Sequence, residues 1–143
     1  MKLSAKLIRS FALGALVVVS TSALANSTLY ERLGGMDIIR KIVSDTIDRT
    51  AADPRTKPIF EGIKLAPVKE SVANHLCEIS GGPCIYEGAA MDKAHSGLQI
   101  SSAQFDLMDD YLGEALTKHG VREADKAALA RLLQPLKPDI IEK

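Results

Sequence analysis

The chain has 143 residues, with 18 Lys and Arg balanced by 18 Asp and Glu. That length fits one domain around one core, and no cluster of Lys and Arg with interleaved aromatics occurs, which argues against a nucleic-acid surface. There is no alternating strand pattern, internal repeat or low-complexity linker, so the helical periodicity described below makes the fold class all-α.

Residues 1–25 have the form of a secretory signal. Met1 to Ser10 is basic, Phe11 to Val19 is an apolar run, and Ala23-Leu24-Ala25 gives the small-x-small pattern of a cleavage site. The run is shorter than the roughly 20 residues that span a bilayer. No cysteine stands at the cleavage site to accept lipid, so no membrane anchor is expected. Cleavage after Ala25 removes Lys2, Lys6 and Arg9 and leaves residues 26–143 as a mildly acidic domain, expected in the periplasm or outside the cell.

In the remaining chain, Thr28 and Glu31 form a capping-box pattern opening a short helix that Gly34-Gly35 closes. A second helix is predicted from about Met36 to Thr50, where Ile38, Ile39, Ile42, Val43 and Ile47 recur at three and four, until Asp53-Pro54 ends it. Pro54 to Phe60 reads as a tight turn or short helix. Pro67 suits the first turn of a third helix reaching about Ile79, with Val68, Val72, His75, Leu76 and Ile79 on one face. Gly81-Gly82 begins an irregular stretch leading to a brief helix from Met91 to His95 that stops at Gly97. Ser101 and Gln104 cap a long helix to about Lys118, apolar at Phe105, Met108, Leu112 and Leu116. His119-Gly120 forms a turn, with His119 expected in solvent. The last helix carries Leu129, Leu132, Leu133, Leu136 and Ile140 on one side, and Pro135 and Pro138 bend or end it.

Cys77 and Cys84 bracket the Gly81-Gly82-Pro83 turn. In a reducing cytosol they would be two small core residues. In an oxidising compartment the pair is a disulfide candidate, and closing so short a loop contributes roughly 2–3 kcal/mol in the chain-entropy model.

The densest motif runs Gly81-Gly82-Pro83, Tyr86, Gly88, Met91, His95, Gly97-Leu98 and Ile100. It resembles the stretch leading to the haem-ligating histidine of group 1 truncated haemoglobins. The resemblance extends from Leu29-Tyr30-Glu31-Arg32-Leu33-Gly34-Gly35 through Ala52-Asp53-Pro54-Arg55 and Phe60 to His95, and on to the final helix. It implies an abridged globin in which two antiparallel helix pairs cross as a two-over-two sandwich around haem b. His95 then falls on the proximal iron ligand, and its second ring nitrogen needs a carbonyl or similar partner to fix the tautomer. Phe60 matches the aromatic that packs on the haem face, and Met91 falls on the proximal side. Tyr86 and the glycines are taken as structural. Lys69 and Lys93 are candidates to pair with haem propionates, the alternative being that both are simply solvated. The cysteines do not form a Cys-x-x-Cys-His pattern, so c-type attachment is excluded. Three Phe, three Tyr and no Trp leave room for a flat apolar cofactor to fill the centre.

The chain departs from the family on the distal side. Many members carry a tyrosine on the second helix that hydrogen-bonds bound oxygen, with Gln or a similar residue facing it. Here the matching positions hold Ile47 and Val72, with Val68 one turn earlier, and the wall is apolar. A missing donor of roughly 1.5–3 kcal/mol raises oxygen dissociation about 10- to 100-fold and affects CO and NO less. It also counts against nitric oxide dioxygenase activity. His75 shares the haem-facing stripe, either at the haem edge, half in water, or as a sixth iron ligand. The readings in view are thus a diatomic-gas carrier served by an unidentified reductase, a bis-histidine electron-transfer or redox- and gas-sensing protein, and a haem-free helical interaction module.

Overall fold

Capping sets the start of the domain. In the computed structural model, which describes residues 26–142, Thr28 Oγ1 accepts from the Glu31 amide and Glu31 Oε2 accepts from the Thr28 amide. This capping box satisfies orphan donors at the start of α1, Leu29–Arg32. The expected leader and its cleavage site lie outside the described residues.

A left-handed Gly34 then turns the chain into α2, Gly35–Ala52. Its φ is +100°, and a Cβ there would meet Ile38 Cγ1 at 2.7 Å, so both conformation and space call for glycine. Leading on from α2, a 3₁₀ turn spans Lys57–Phe60. The remaining elements are α3, Leu65–Ile79; α4, Met91–Ala94; α5, Ser102–Lys118; α6, Glu123–Leu133; a 3₁₀ turn, Gln134–Leu136; and α7, Lys137–Ile140. A second capping box, Ser101 with Gln104, opens α5 as expected. Among the described residues there is no strand, and no helix is long and apolar enough to cross a membrane.

Helix α2 is the centre of the packing, touching both α3 and α5. Ile39, Ile42, Val43 and Ile47 are each 1 % exposed, and they meet Ala73 and Leu76 of α3, Ala115 and Leu116 of α5, and Leu129 of α6 in one cluster. Burying such side chains stabilises the fold by about 1.5–3 kcal/mol each, before the cost of ordering them.

The last helix departs from the single stripe expected of it. Pro135 and Pro138 divide it into α6, a 3₁₀ turn and α7, because proline lacks the amide that an unbroken ladder requires. Leu129 is buried, but Leu132, three residues on in α6, is 41 % exposed. His119 is likewise not a solvent residue: its Nε2 lies 2.8 Å from Asp45 Oδ2 and its side chain is 18 % exposed, so the α5 C-terminus is tied back to α2.

Helices α1 and α6 are joined through Asp125, which is 3 % exposed. Arg32 Nε and Arg122 Nε each donate to it at 2.7 Å. Burial pushes this carboxyl up, but the hydrogen bonds from Arg32 and Arg122 outweigh that and hold it below the ordinary range. Asp125→Ala leaves Arg32 without its partner and is expected to cost about 3 kcal/mol in urea unfolding at pH 7. Because the folded pKa is lowered, the carboxylate stabilises the fold above about pH 4 and ceases to do so as pH falls through the lowered value. The gap between wild type and variant should therefore narrow in acid.

Candidate functional site

The apolar face of α2 continues past the core into a cavity of about 460 Å³, within the range of small-molecule and cofactor sites. Helix α3 forms the facing wall, because Val68, Val72 and His75 fall at i, i+4 and i+7 on one side. Phe60 enters from the 3₁₀ turn, Met91 and His95 from α4 and its end, Phe105 and Met108 from α5, and Leu136 and Ile140 from the C-terminal segment. All seven residues expected at the pocket from sequence, Ile47, Phe60, Val68, Val72, His75, Met91 and His95, line this one cavity. A second, more open groove of about 900 Å³ lies between α5 and α6, rimmed by Glu114, Lys118, Glu123 and Lys126. It contains no histidine and no aromatic residue.

His95 is set by a local interaction. It caps the C-terminus of α4, and its Nδ1 lies 2.8 Å from the Met91 carbonyl oxygen. A carbonyl only accepts, so Nδ1 carries the proton and donates, which leaves Nε2 with its lone pair. Gly97 follows at φ +80°, where the chain turns away from α4. Among the described residues no group of three His, Cys, Asp or Glu is placed to hold a bare metal ion. One histidine at the edge of an apolar cavity suits a metal that arrives with its other ligands, as iron does in porphyrin, so the residues present fit haem.

The wall formed by α2 and the turn that follows it contains hydroxyls, but they are already engaged. Thr46 Oγ1 donates to the Ile42 carbonyl at 2.8 Å, Thr50 Oγ1 to the Thr46 carbonyl at 2.7 Å, and Thr56 Oγ1 to the Thr50 carbonyl at 2.5 Å. This ladder, absent from the sequence reading, keeps the wall apolar in effect although three of its side chains are polar. The available signal was Thr46 and Thr50 spaced by four inside the Ile42, Val43, Ile47 stripe. Ser71 also lines the cavity, from α3.

His75 is partly exposed, in keeping with an edge position, but its polar atoms are not in water. Both ring nitrogens are buried and have no hydrogen-bond partner. Burial lowers its pKa below the usual histidine value, against a smaller upward pull from Glu78, so the ring is neutral at pH 7. Its neighbour is Tyr86, whose ring centroid lies 4.8 Å away, tilted by 60°. Tyr86 was assigned to the loop alone, yet it lines the cavity.

Of the two candidate propionate partners, Lys69 is engaged and Lys93 is solvated. Lys69 Nζ pairs with Asp48 at 2.7 Å and Ser44 at 3.0 Å. Lys93 is 78 % exposed and lies 3.7 Å from Asp92. The cysteine pair does close: Cys77 and Cys84 form a disulfide with their Cα atoms 5.8 Å apart.

The model of the bacterial-like globin family matches residues 28–142. The group 1 truncated hemoglobin GlbN of Nostoc sp. (strain MUN 8820) is 39 % identical over 107 residues, covering 74 % of this chain and 91 % of the relative. The protein of the same name from Mycolicibacterium paratuberculosis is 29 % identical over 114 residues, covering 80 % and 84 %. The crystal structure of truncated hemoglobin from Tetrahymena pyriformis in its Fe(III) form matches with a TM-score of 0.77 and 27 % identity, over 82 % of this chain and 100 % of that one. The 2/2 hemoglobin of Synechococcus matches in fold with a TM-score of 0.76 at 21 % identity, over 82 % and 100 %. The chain therefore belongs to the bacterial-like globin family, with the two-over-two fold of a group 1 truncated haemoglobin.

Proposed function

We propose that this protein holds haem b non-covalently and reversibly binds a diatomic gas, retaining NO and CO in preference to oxygen. The observation that carries this reading is the pairing of His95, its Nδ1 proton committed to the Met91 carbonyl, with a cavity whose facing walls present Ile47, Val68 and Val72. Haem, when bound, would supply an iron able to take a gas. His95 Nε2 would hold that iron, Phe60 and Met91 would pack against the ring, and the threonine ladder keeps hydroxyl donors turned into the backbone. A ligand that gains negative charge on binding finds no donor on α2, whereas one that stays neutral loses little. That same lack argues against nitric oxide dioxygenase activity. The expected leader and the Cys77–Cys84 bridge support work in the periplasm or outside the cell, with an as yet unidentified reductase returning the iron to its ferrous form.

A second reading follows from His75. The ring nitrogens of His75 are buried and have no hydrogen-bond partner in the protein, and coordination of iron as a sixth ligand would give one of them a partner. The ferrous protein would then be six-coordinate and suited to electron transfer or to redox and gas sensing.

Two variants test these roles. His95→Ala should lose stable haem while keeping its helical circular dichroism; full haem content with an unchanged spectrum would refute the assignment. Ile47→Tyr, which places a hydroxyl on the α2 wall, should slow oxygen dissociation about 10- to 100-fold and alter CO dissociation much less, measured by stopped-flow displacement. An unchanged oxygen rate would mean that Ser71 or His75 already reaches the gas. For the second reading, His75→Ala should leave a five-coordinate ferrous spectrum unaltered; disappearance of a low-spin six-coordinate form would establish His75 as a ligand.

A further inference from the structure

Helix α4, which presents His95, has only four residues and none of them is buried. It packs on α7, and just beyond it the Gly97 amide donates to Glu142 Oε1 at 2.5 Å. Upstream it hangs from residues 80–90, which form no helix. What holds that loop is concentrated on the last turns of α3. Cys84 is bonded to Cys77, which is fully buried. The Tyr86 amide donates to Glu78 Oε1 at 3.2 Å, and the Tyr86 ring covers His75 at 4.8 Å. Gly82 is wedged where a Cβ would meet the Tyr30 ring at 2.5 Å and Cys77 Sγ at 2.6 Å. Tyr86 Oη closes the loop on itself by donating to the Ala89 carbonyl at 2.9 Å.

Ser80, Gly81 and Gly82 are held at the end of α3 by backbone hydrogen bonds, but beyond them the disulfide is the one covalent link, and its removal leaves Tyr86 tied to α3 by its hydrogen bond to Glu78 and its ring contact with His75. We propose that the Cys77–Cys84 disulfide and Tyr86 act together as positioning residues for the cavity, and that the thiol–disulfide state of this pair sets how fast haem is lost. The inference rests on the haem-binding reading above. The chemistry is a two-electron exchange with a dithiol reductant. One of its thiolates attacks Sγ of Cys84, a partly exposed residue, whereas Cys77 is fully buried. The S–S bond breaks, Cys77 leaves as thiolate and takes up a proton, and a mixed disulfide forms on Cys84. The reductant's second thiol then displaces Cys84, which takes up the second proton, and the reductant ends as its own disulfide. With the bridge open, Tyr86 is released from His75 and the chain leading to His95 slackens, while the core around α2, α5 and α6 keeps all its contacts.

The test uses the full holoprotein as its ferrous CO complex, so that the iron is the same in every arm. Transfer of haem to excess apomyoglobin is followed by absorbance for the disulfide form, for protein reduced with dithiothreitol, and for Cys77→Ala/Cys84→Ser. The open forms should lose haem about 10- to 100-fold faster, and reoxidation of the wild type should restore the slow rate. Amide hydrogen exchange of the haem-free protein supplies a second readout: residues 82–96 should exchange faster on reduction, with α2 and α5 unchanged. Equal transfer rates in the two redox states overturn the proposal. So does reduction that melts every helix together, since the bridge would then hold the whole fold rather than this loop. If no form takes up haem, the haem reading has failed, and the exchange pattern alone decides whether the bridge is a local tether.

Discussion

One hydrogen bond, from His95 Nδ1 to the Met91 carbonyl at 2.8 Å, commits the imidazole to a single tautomer and so decides what the cavity does. Without it either ring nitrogen carries the proton and the ring is free to turn. With it, Nε2 is the atom able to bind a metal. The bond spans four residues of one helical turn, so it depends on α4 being a helix at all, and α4 is too short to persist alone. Its stability is borrowed from α7 on one side and from the tethered loop on the other.

The hydrophobic core and the cavity share α2. Ile39 and Ile42 serve the core, while Val43, Thr46 and Ile47 are both core-buried and cavity-lining. A change on this helix therefore alters packing and ligand environment together. The threonine ladder shows how polar side chains are tolerated there: each hydroxyl satisfies itself on a carbonyl of its own or a neighbouring turn. The exception is His75, a partly exposed residue whose two ring nitrogens are enclosed without a hydrogen-bond partner, where such atoms are normally satisfied.

Much of this was legible in the sequence because it depends on local rules. The capping boxes at Thr28 and Ser101, the α2 stripe, the break at Gly97 and the i, i+4, i+7 set of Val68, Val72 and His75 all follow from helix geometry. The cysteine pair followed from its spacing across a glycine turn. What was missed depends on tertiary partners. His119 looked like a turn residue because nothing in its neighbours reveals Asp45, 74 positions away. Lys69 could be offered to a propionate only while Asp48 and Ser44 on α2 were out of view. Leu132 belongs to the same turn of α6 as Leu129, yet it is 41 % exposed because no neighbouring element covers that edge of the stripe. Tyr86 lies in a stretch with no period, so only the fold reveals that it covers His75.

The central claim, that His95 holds the iron through Nε2 while Nδ1–H stays bonded to the Met91 carbonyl, is tested most directly by proton–nitrogen NMR. The sample is protein labelled with ¹⁵N-histidine and reconstituted with haem in the ferric, cyanide-bound form. The account predicts one strongly hyperfine-shifted, slowly exchanging ring N–H, assigned to His95 Nδ1. A hyperfine-shifted N–H assigned to His75 in place of His95, or a His95 ring signal at its ordinary position in the haem-loaded protein, would contradict it.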